Sequence, residues 1–352
     1  MPDPADPGLV WHNLLDLTLE GRAFPPDQLG HPYDRLPACA QPLVTTPVWD
    51  LSHEPAGIRC RCLTDSPDLH LRWTFRTDQL LGNRHPHTEQ TGIDLYGRDH
   101  HNTWRWAGFA KTTDLAGQNH DVLFQDAESH TPREFCLYLP YRGAIDRVEL
   151  GIPANHQLTP APADPRPPLI FYGTSIVHGF TASRSGMTYP AITARRLDHP
   201  FHNFGFAGNG PLHLEVAQLL APLPAAAFIL AGCENMEPPD VAQRTEPFVN
   251  TLRQNHPTTP IVLLENIPLA HAWFQPKRRD LYTRNSANLR AAFDALTAHH
   301  NDPNLHYLTA HQLLGDDDEA TIDSIHPTDL GFVRMADALA PLIQSLITKP
   351  TP

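Results

Sequence analysis

The sequence predicts two unlike halves, an all-β domain followed by a doubly wound α/β domain, and three observations carry that expectation. Residues 1 to about 158 hold short alternating runs parted by turn residues, with no long helical period. From residue 169 onward, strand-like and helix-like segments take turns, five strands between helices. Between the two, residues 156–168 carry five prolines (160, 162, 165, 167 and 168), which bias the chain toward a semi-rigid extended linker. The expected organisation is therefore a β-sandwich over 1–158, a Pro-rich linker over 159–168 and an α/β/α domain over 169–352.

In the first half, Leu43 to Val48, Ile58 to Leu63, Leu69 to Phe75, Trp104 to Phe109, Glu134 to Tyr138 and Val148 to Ile152 read as strands, the first an edge strand because of Pro47. Trp104, Trp106 and Phe109 read as core, or else as a stacking platform for a sugar. In the second half, strands are expected at 169–172, about 201–204, 226–230, 260–265 and about 305–308. Helices are expected at about 188–197, 213–220, 240–255, 280–299 and 329–346.

Composition narrows the partners. The 352 residues suit two domains, and 18% charged with 41% hydrophobic residues describes a folded chain. A net charge of −13 without a basic stripe argues against nucleic acid. Met1 to Pro7 has neither a basic nor an apolar leader region, and no run of about 18 apolar residues suggests a membrane span, so a cytoplasmic chain is expected. The five cysteines, Cys39, Cys60, Cys62, Cys136 and Cys233, lack zinc-site spacing, and Cys60 and Cys62 read as small core residues. The 22 histidines include His85, His87, His100, His101, His299 and His300, which read as exposed loop or helix-end residues, so neither a metal nor an organic cofactor is expected.

The chemistry gathers around 169–179, Leu-Ile-Phe-Tyr-Gly-Thr-Ser-Ile-Val-His-Gly. An uncharged apolar run ends in Gly173, which lets the chain turn, and Ser175 follows at the carboxyl edge of a strand, where open α/β sheets place ligands. By itself a Gly-Thr-Ser turn is more often plain helix capping. The second cluster is Asp323-Ser324-Ile325-His326-Pro327. A serine hydroxyl needs an imidazole to take its proton, and the imidazole needs a third group to hold its tautomer, which Asp-x-x-His supplies from one loop. The expected catalytic set is Ser175, His326 and Asp323.

These residues resemble the SGNH (GDSL-like) hydrolases, serine esterases on a flavodoxin-like α/β/α fold. Their first block reads Gly173-Thr174-Ser175 here, with Thr where the commoner form has Asp. The second is Asn203-Phe204-Gly205-Phe206-Ala207-Gly208-Asn209-Gly210, the third Gly232-Cys233-Glu234-Asn235-Met236, and the last Asp323-x-x-His326. The resemblance implies an oxyanion hole from the Ser175 and Gly208 N–H groups and the Asn235 side chain. The third block has one residue more than the commonest form between Gly and Asn, and lacks its following Asp. Gly92-Ile93-Asp94-Leu95-Tyr96 matches the signature of a branch that carries an N-terminal jelly-roll-like sandwich. Asp94 in that signature reads as a cap on local backbone, or else Asp94 and Tyr96 shape a substrate pocket. His178 and Glu234 are further candidates for substrate contact.

The function expected from this is a serine esterase that removes a small acyl group, acetyl by resemblance, from a small-molecule or oligosaccharide ester. Other esters or thioesters, or sugar binding without catalysis, are the alternatives. A homo-oligomer is left open.

Overall fold

Among the described residues ten strands build the first half: β1 (Leu9–Asn13), β2 (Thr18–Glu20), β3 (Arg59–Thr64), β4 (Leu69–Phe75), β5 (Ile93–Arg98), β6 (Trp104–Ala110), β7 (Asn119–Phe124), β8 (Arg133–Tyr138), β9 (Ile145–Pro153) and β10 (Leu158–Pro160). The protein is seen in a computed structural model that describes residues 8–77, 86–128 and 131–348, so His85 and the segment 1–7 lie outside the described residues. Packing divides the chain into two units. One comprises Met1–Arg35, His53–Pro165 and Ser183–Gly186; the other comprises Leu36–Ser52, Arg166–Ala182 and Met187–Pro352.

The first unit is two antiparallel sheets, ordered β1-β9-β4-β7 and β10-β3-β8-β5-β6, with β2 beside β3. β4 shows why the pattern predicts strand: Leu69, Leu71, Trp73 and Phe75 are buried, while His70, Arg72 and Thr74 between them are half-buried. Side chains from both sheets, among them Leu71, Trp73, Val148, Leu150, Cys60, Cys62, Ile93 and Leu137, form one core. Each fully buried large side chain there contributes roughly 1.5–3 kcal/mol.

Several strands escape sequence reading. β2 and β10 are three residues long, and β7 begins Asn-His-Asp, so neither length nor alternation marks them. Pro160 lies in β10, outermost in its sheet, where its missing N–H breaks no ladder. Leu43 to Val48 is not an edge strand: Thr46–Ser52 is a helix, in the second unit. Pro47 explains the reversal, because at the second helical position its fixed φ suits the first turn and its missing N–H has no partner to lose.

The second unit is a five-stranded sheet of β11 (Leu169–Gly173), β12 (Phe201–Gly205), β13 (Ala227–Ala231), β14 (Ile261–Leu264) and β15 (Leu305–Leu308). Every pair is parallel and the order is β12-β11-β13-β14-β15, the flavodoxin-like 2-1-3-4-5 arrangement. β11, β13 and β14 are buried along their whole length, which is why they read as unbroken apolar runs. The longer intervening helices, Tyr189–Arg196, Leu214–Leu220, Pro238–Asn255, Pro276–His300 and Asp329–Ile347, fall within a few residues of expectation. By length and composition alone Asp329–Ile347 could cross a membrane. Its Phe332, Met335, Leu339 and Ile343 are buried in this unit, where it packs on Tyr189–Arg196 and β13.

Candidate active site

The order of the parallel sheet decides where the chemistry can gather. β11 has β12 on one side and β13 on the other, so the connections from the carboxyl ends of β11, to β12, and of β13, to β14, leave in opposite directions, the arrangement that opens a crevice between two such strands. Ser175 follows β11 directly, Gly208 lies beyond β12, and Asn235 lies beyond β13.

Backbone contact this close requires glycine. A Cβ on Gly173 would meet the Ala231 carbonyl oxygen at 1.9 Å, and one on Gly210 would meet the Gly173 oxygen at 1.9 Å. Asn203 adds a tie from the side: its Nδ2 donates to the Val177 carbonyl at 2.8 Å and its Oδ1 accepts from the Gly205 N–H at 2.8 Å. The short helix Ser175–His178, with Ser175 almost fully buried, is thereby fixed against β12.

His326 arrives on a loop folded back on itself. The Ile322 N–H donates to the His326 carbonyl at 2.9 Å and the Thr328 N–H to the Ala320 carbonyl at 2.8 Å. Thr181 Oγ1 donates to the Pro327 carbonyl at 2.7 Å, joining this loop to the segment just after the Ser175 helix. The result is an aligned chain of side chains: Ser175 Oγ lies 2.9 Å from His326 Nε2, and His326 Nδ1 lies 2.7 Å from Asp323 Oδ2. Asp323 Oδ1 accepts from the Ile325 N–H at 3.0 Å and the His326 N–H at 2.8 Å. Burial alone would raise the Asp323 carboxyl, but these backbone donors and the imidazole outweigh it and hold the group below the usual range. It is an anion placed to keep a proton on Nδ1 and leave Nε2 free to accept one.

The remaining candidates fall out differently. Gly208 is exposed at φ +69° with open space where a Cβ would point, and Asn235 is exposed. Glu234 is half-buried with its Oε2 enclosed; burial pushes its carboxyl up to about 7, opposed in part by hydrogen bonds to the carboxyl from its own backbone N–H and the Thr174 hydroxyl. His178 is fully buried, its ring 5.7 Å from Phe180, and the Phe180 ring lies 5.7 Å from His326. Enclosed beside Phe180, it presents no surface for a substrate. Phe180 and Thr181 brace His326 without any motif to mark them; a positive φ of 72° at Thr181 is visible only in the fold.

Asp94 and Tyr96 belong to the first unit. Asp94 is fully buried and its partners are not the local backbone expected of a turn. Its Oδ2 accepts from Arg184 at 2.6 Å and from the Gly186 N–H at 3.0 Å, and its Oδ1 from Trp106 Nε1 at 2.9 Å. Arg184 also donates to the Tyr96 hydroxyl at 2.6 Å. The signature on β5 thus clamps the segment Ser183–Gly186. Trp106 is not core: it is 55% exposed, while Trp104 and Phe109 are half-buried. Cys60, Cys62, Cys136 and Cys233 are buried. Among the described residues no three His, Cys, Asp or Glu side chains gather as a metal site.

Comparison with known proteins places the chain in a family. The profile of the GDSL-like lipase/acylhydrolase family matches residues 166–344, half of the chain. The chain belongs to that family. The GxDLY profile, the N-terminal part of SGNH-hydrolase-type esterases, matches residues 9–158. Among solved structures, a protein from Bacteroides ovatus ATCC 8483 assigned as a GDSL-like lipase is 30% identical, covers 96% of this chain and 98% of its own, and superposes with a TM-score of 0.89. A salicylyl-acyltransferase of a tetracycline biosynthetic pathway is 22% identical over 99% of this chain and 98% of its own, with a TM-score of 0.76. A family two carbohydrate esterase from Cellvibrio japonicus shares the fold at 15% identity, TM-score 0.62, with 96% and 98% covered. No curated protein matches. Membership in the GDSL-like family makes the chain an esterase or acylhydrolase, and carbohydrate esterases are among its structural neighbours.

Proposed function

We propose that the protein is a serine carboxylester hydrolase that takes a small acyl group, acetyl first, from a carbohydrate or polyol ester through an acyl-enzyme on Ser175. The observation that carries this is the continuous alignment from Ser175 Oγ through the His326 imidazole to Asp323. His326 Nε2 accepts the hydroxyl proton as Ser175 Oγ bonds to the ester carbonyl carbon, and Asp323 stabilises the imidazolium. The carbonyl π electrons move to oxygen, and that oxyanion is held by the N–H groups of Ser175 and Gly208 and by the Asn235 amide, each donor contributing about 2.7–4 kcal/mol. Collapse of the intermediate breaks the bond to the alcohol, which leaves with the proton from His326. Water then repeats the cycle on the acyl-enzyme and releases the acid.

Support for the oxyanion donors is positional: they follow the first three parallel strands on the edge where Ser175 stands. The preference for acetyl and for a carbohydrate alcohol rests on family likeness. The first unit is read within the same proposal as a jelly-roll-like sandwich, on the strength of its two antiparallel sheets. Release of acetate from an acetylated sugar by wild type, Ser175→Ala and Asp323→Asn tests the reading. The alanine variant should be inactive and the asparagine variant slowed by about 10⁴-fold in kcat, since its amide favours the wrong imidazole tautomer. Turnover retained by Ser175→Ala would overturn it.

A further inference from the structure

Eight large apolar side chains stand exposed among the described residues, and four of them lie at the ends of the His326 loop or on the turn hydrogen-bonded to it. Ile322 (57% exposed) precedes Asp323, Leu330 follows the same loop, and Trp273 (74%) and Phe274 (55%) stand at the end of the turn Ala270–Trp273. That turn is fastened to the His326 loop at two points. The Ala270 N–H donates to the Ser324 carbonyl at 3.3 Å, and the His271 N–H donates to Ser324 Oγ at 3.0 Å. Ser324, between Asp323 and His326, is itself held at φ +76°. The aromatic pair therefore keeps a fixed register with the imidazole.

We propose that Trp273, with Phe274 beside it, holds the alcohol half of the ester, and that this half carries a ring. The side of the site follows from the chemistry, so the inference rests on the esterase reading above. His326 must hand its proton to the departing alcohol oxygen, which places the alcohol half on the His326 side and leaves the acyl half with the oxyanion donors. The kind of ligand follows from the surface. The two rings meet at 4.8 Å and 62°, edge toward face, so Phe274 braces the indole while most of Trp273 stays open to solvent. A flat, stiff indole face rewards a ring that can lie on it, sugar or aryl, and gives little to a flexible chain. Exposing such a pair to water without a ligand is unfavourable, and its concentration beside the reactive loop marks a place where one docks.

The test compares a monoacetylated methyl glucopyranoside with triacetin, which offers acetyl on a ring-free alcohol. In Trp273→Ala the KM for the glucoside should rise about tenfold with kcat within a factor of about two, while triacetin kinetics stay unchanged; Trp273→Phe should recover part of the loss. Labelling of Ser175 by a fluorophosphonate at the wild-type rate certifies that each variant is folded, and Phe274→Ala supplies the same split should Trp273→Ala not label. An equal effect on both substrates, or none on the glucoside, overturns the subsite while leaving the esterase reading standing. A wild type that hydrolyses neither acetate overturns both.

Discussion

Glu234 brings a carboxyl beside the nucleophile turn, where the commoner family block has its own acid at the position of Thr174. The Glu234 Oε2 and the Tyr189 hydroxyl are enclosed without a hydrogen-bond partner, and the Glu234 backbone N–H and the Thr174 hydroxyl offset only part of the cost of burying a charge there. Burial accordingly raises this carboxyl from 4.5 to about 7 and holds the Tyr189 phenol well above its usual range. The fold favours the protonated acid. Its stabilising contribution is complete below about pH 4.5 and is lost as pH rises through about 7. Between about pH 5 and 8 the wild type should therefore lose on the order of 3 kcal/mol relative to Glu234→Gln, measured by denaturant unfolding at each pH. Parallel curves for the two proteins would show that the acid ionises without cost. At this scale sequence reading picked out Ser175, His326 and Asp323 because bond-making chemistry dictates residue type, and the fold brings the three side chains within hydrogen-bond distance. It failed where the role depends on which way a side chain faces: His178 turned inward behind Phe180, and Asp94 reached Arg184 ninety residues away instead of its own turn.

Elements meet at the site through backbone contact, and two glycines there answer to different physics. At Gly210 a Cβ would strike the Gly173 carbonyl oxygen, so Gly210→Ala must push apart the turns that follow β11 and β12. It should cost about 1–3 kcal/mol or more and slow reaction of Ser175. At Gly208 the space is open and only the left-handed backbone resists, so Gly208→Ala should cost about 1 kcal/mol. Denaturant midpoints of the two variants check the order; equal midpoints would contradict it. Long apolar strands between amphipathic helices were legible because burial on both faces leaves an unbroken hydrophobic signature. Helix Thr46–Ser52 was not, since a proline that weakens a strand also starts a helix, and only packing selects between them. β2, β7 and β10 are too short or too polar for alternation to register, and they exist because neighbouring strands offer them a ladder.

Across the whole molecule, an acidic chain of net charge −13 builds two cores, one between antiparallel sheets and one around a parallel sheet. The fold class was legible because the hydrophobic period changes from two to an alternation of strand and helix at the proline-rich stretch. The candidate site could be assembled from residues scattered over about 150 positions because a 2-1-3-4-5 sheet brings the loops that carry them to one edge. Substrate identity was not legible, because sequence alone does not assign neighbours to exposed side chains such as Trp273. The central claim is that Ser175 is an activated nucleophile. Intact mass after incubation with a fluorophosphonate, on wild type and Ser175→Ala together, tests it most directly. We expect a single phosphonyl adduct on the wild type and none on the variant; a folded wild type that takes no adduct, or a variant that takes one, would contradict the account.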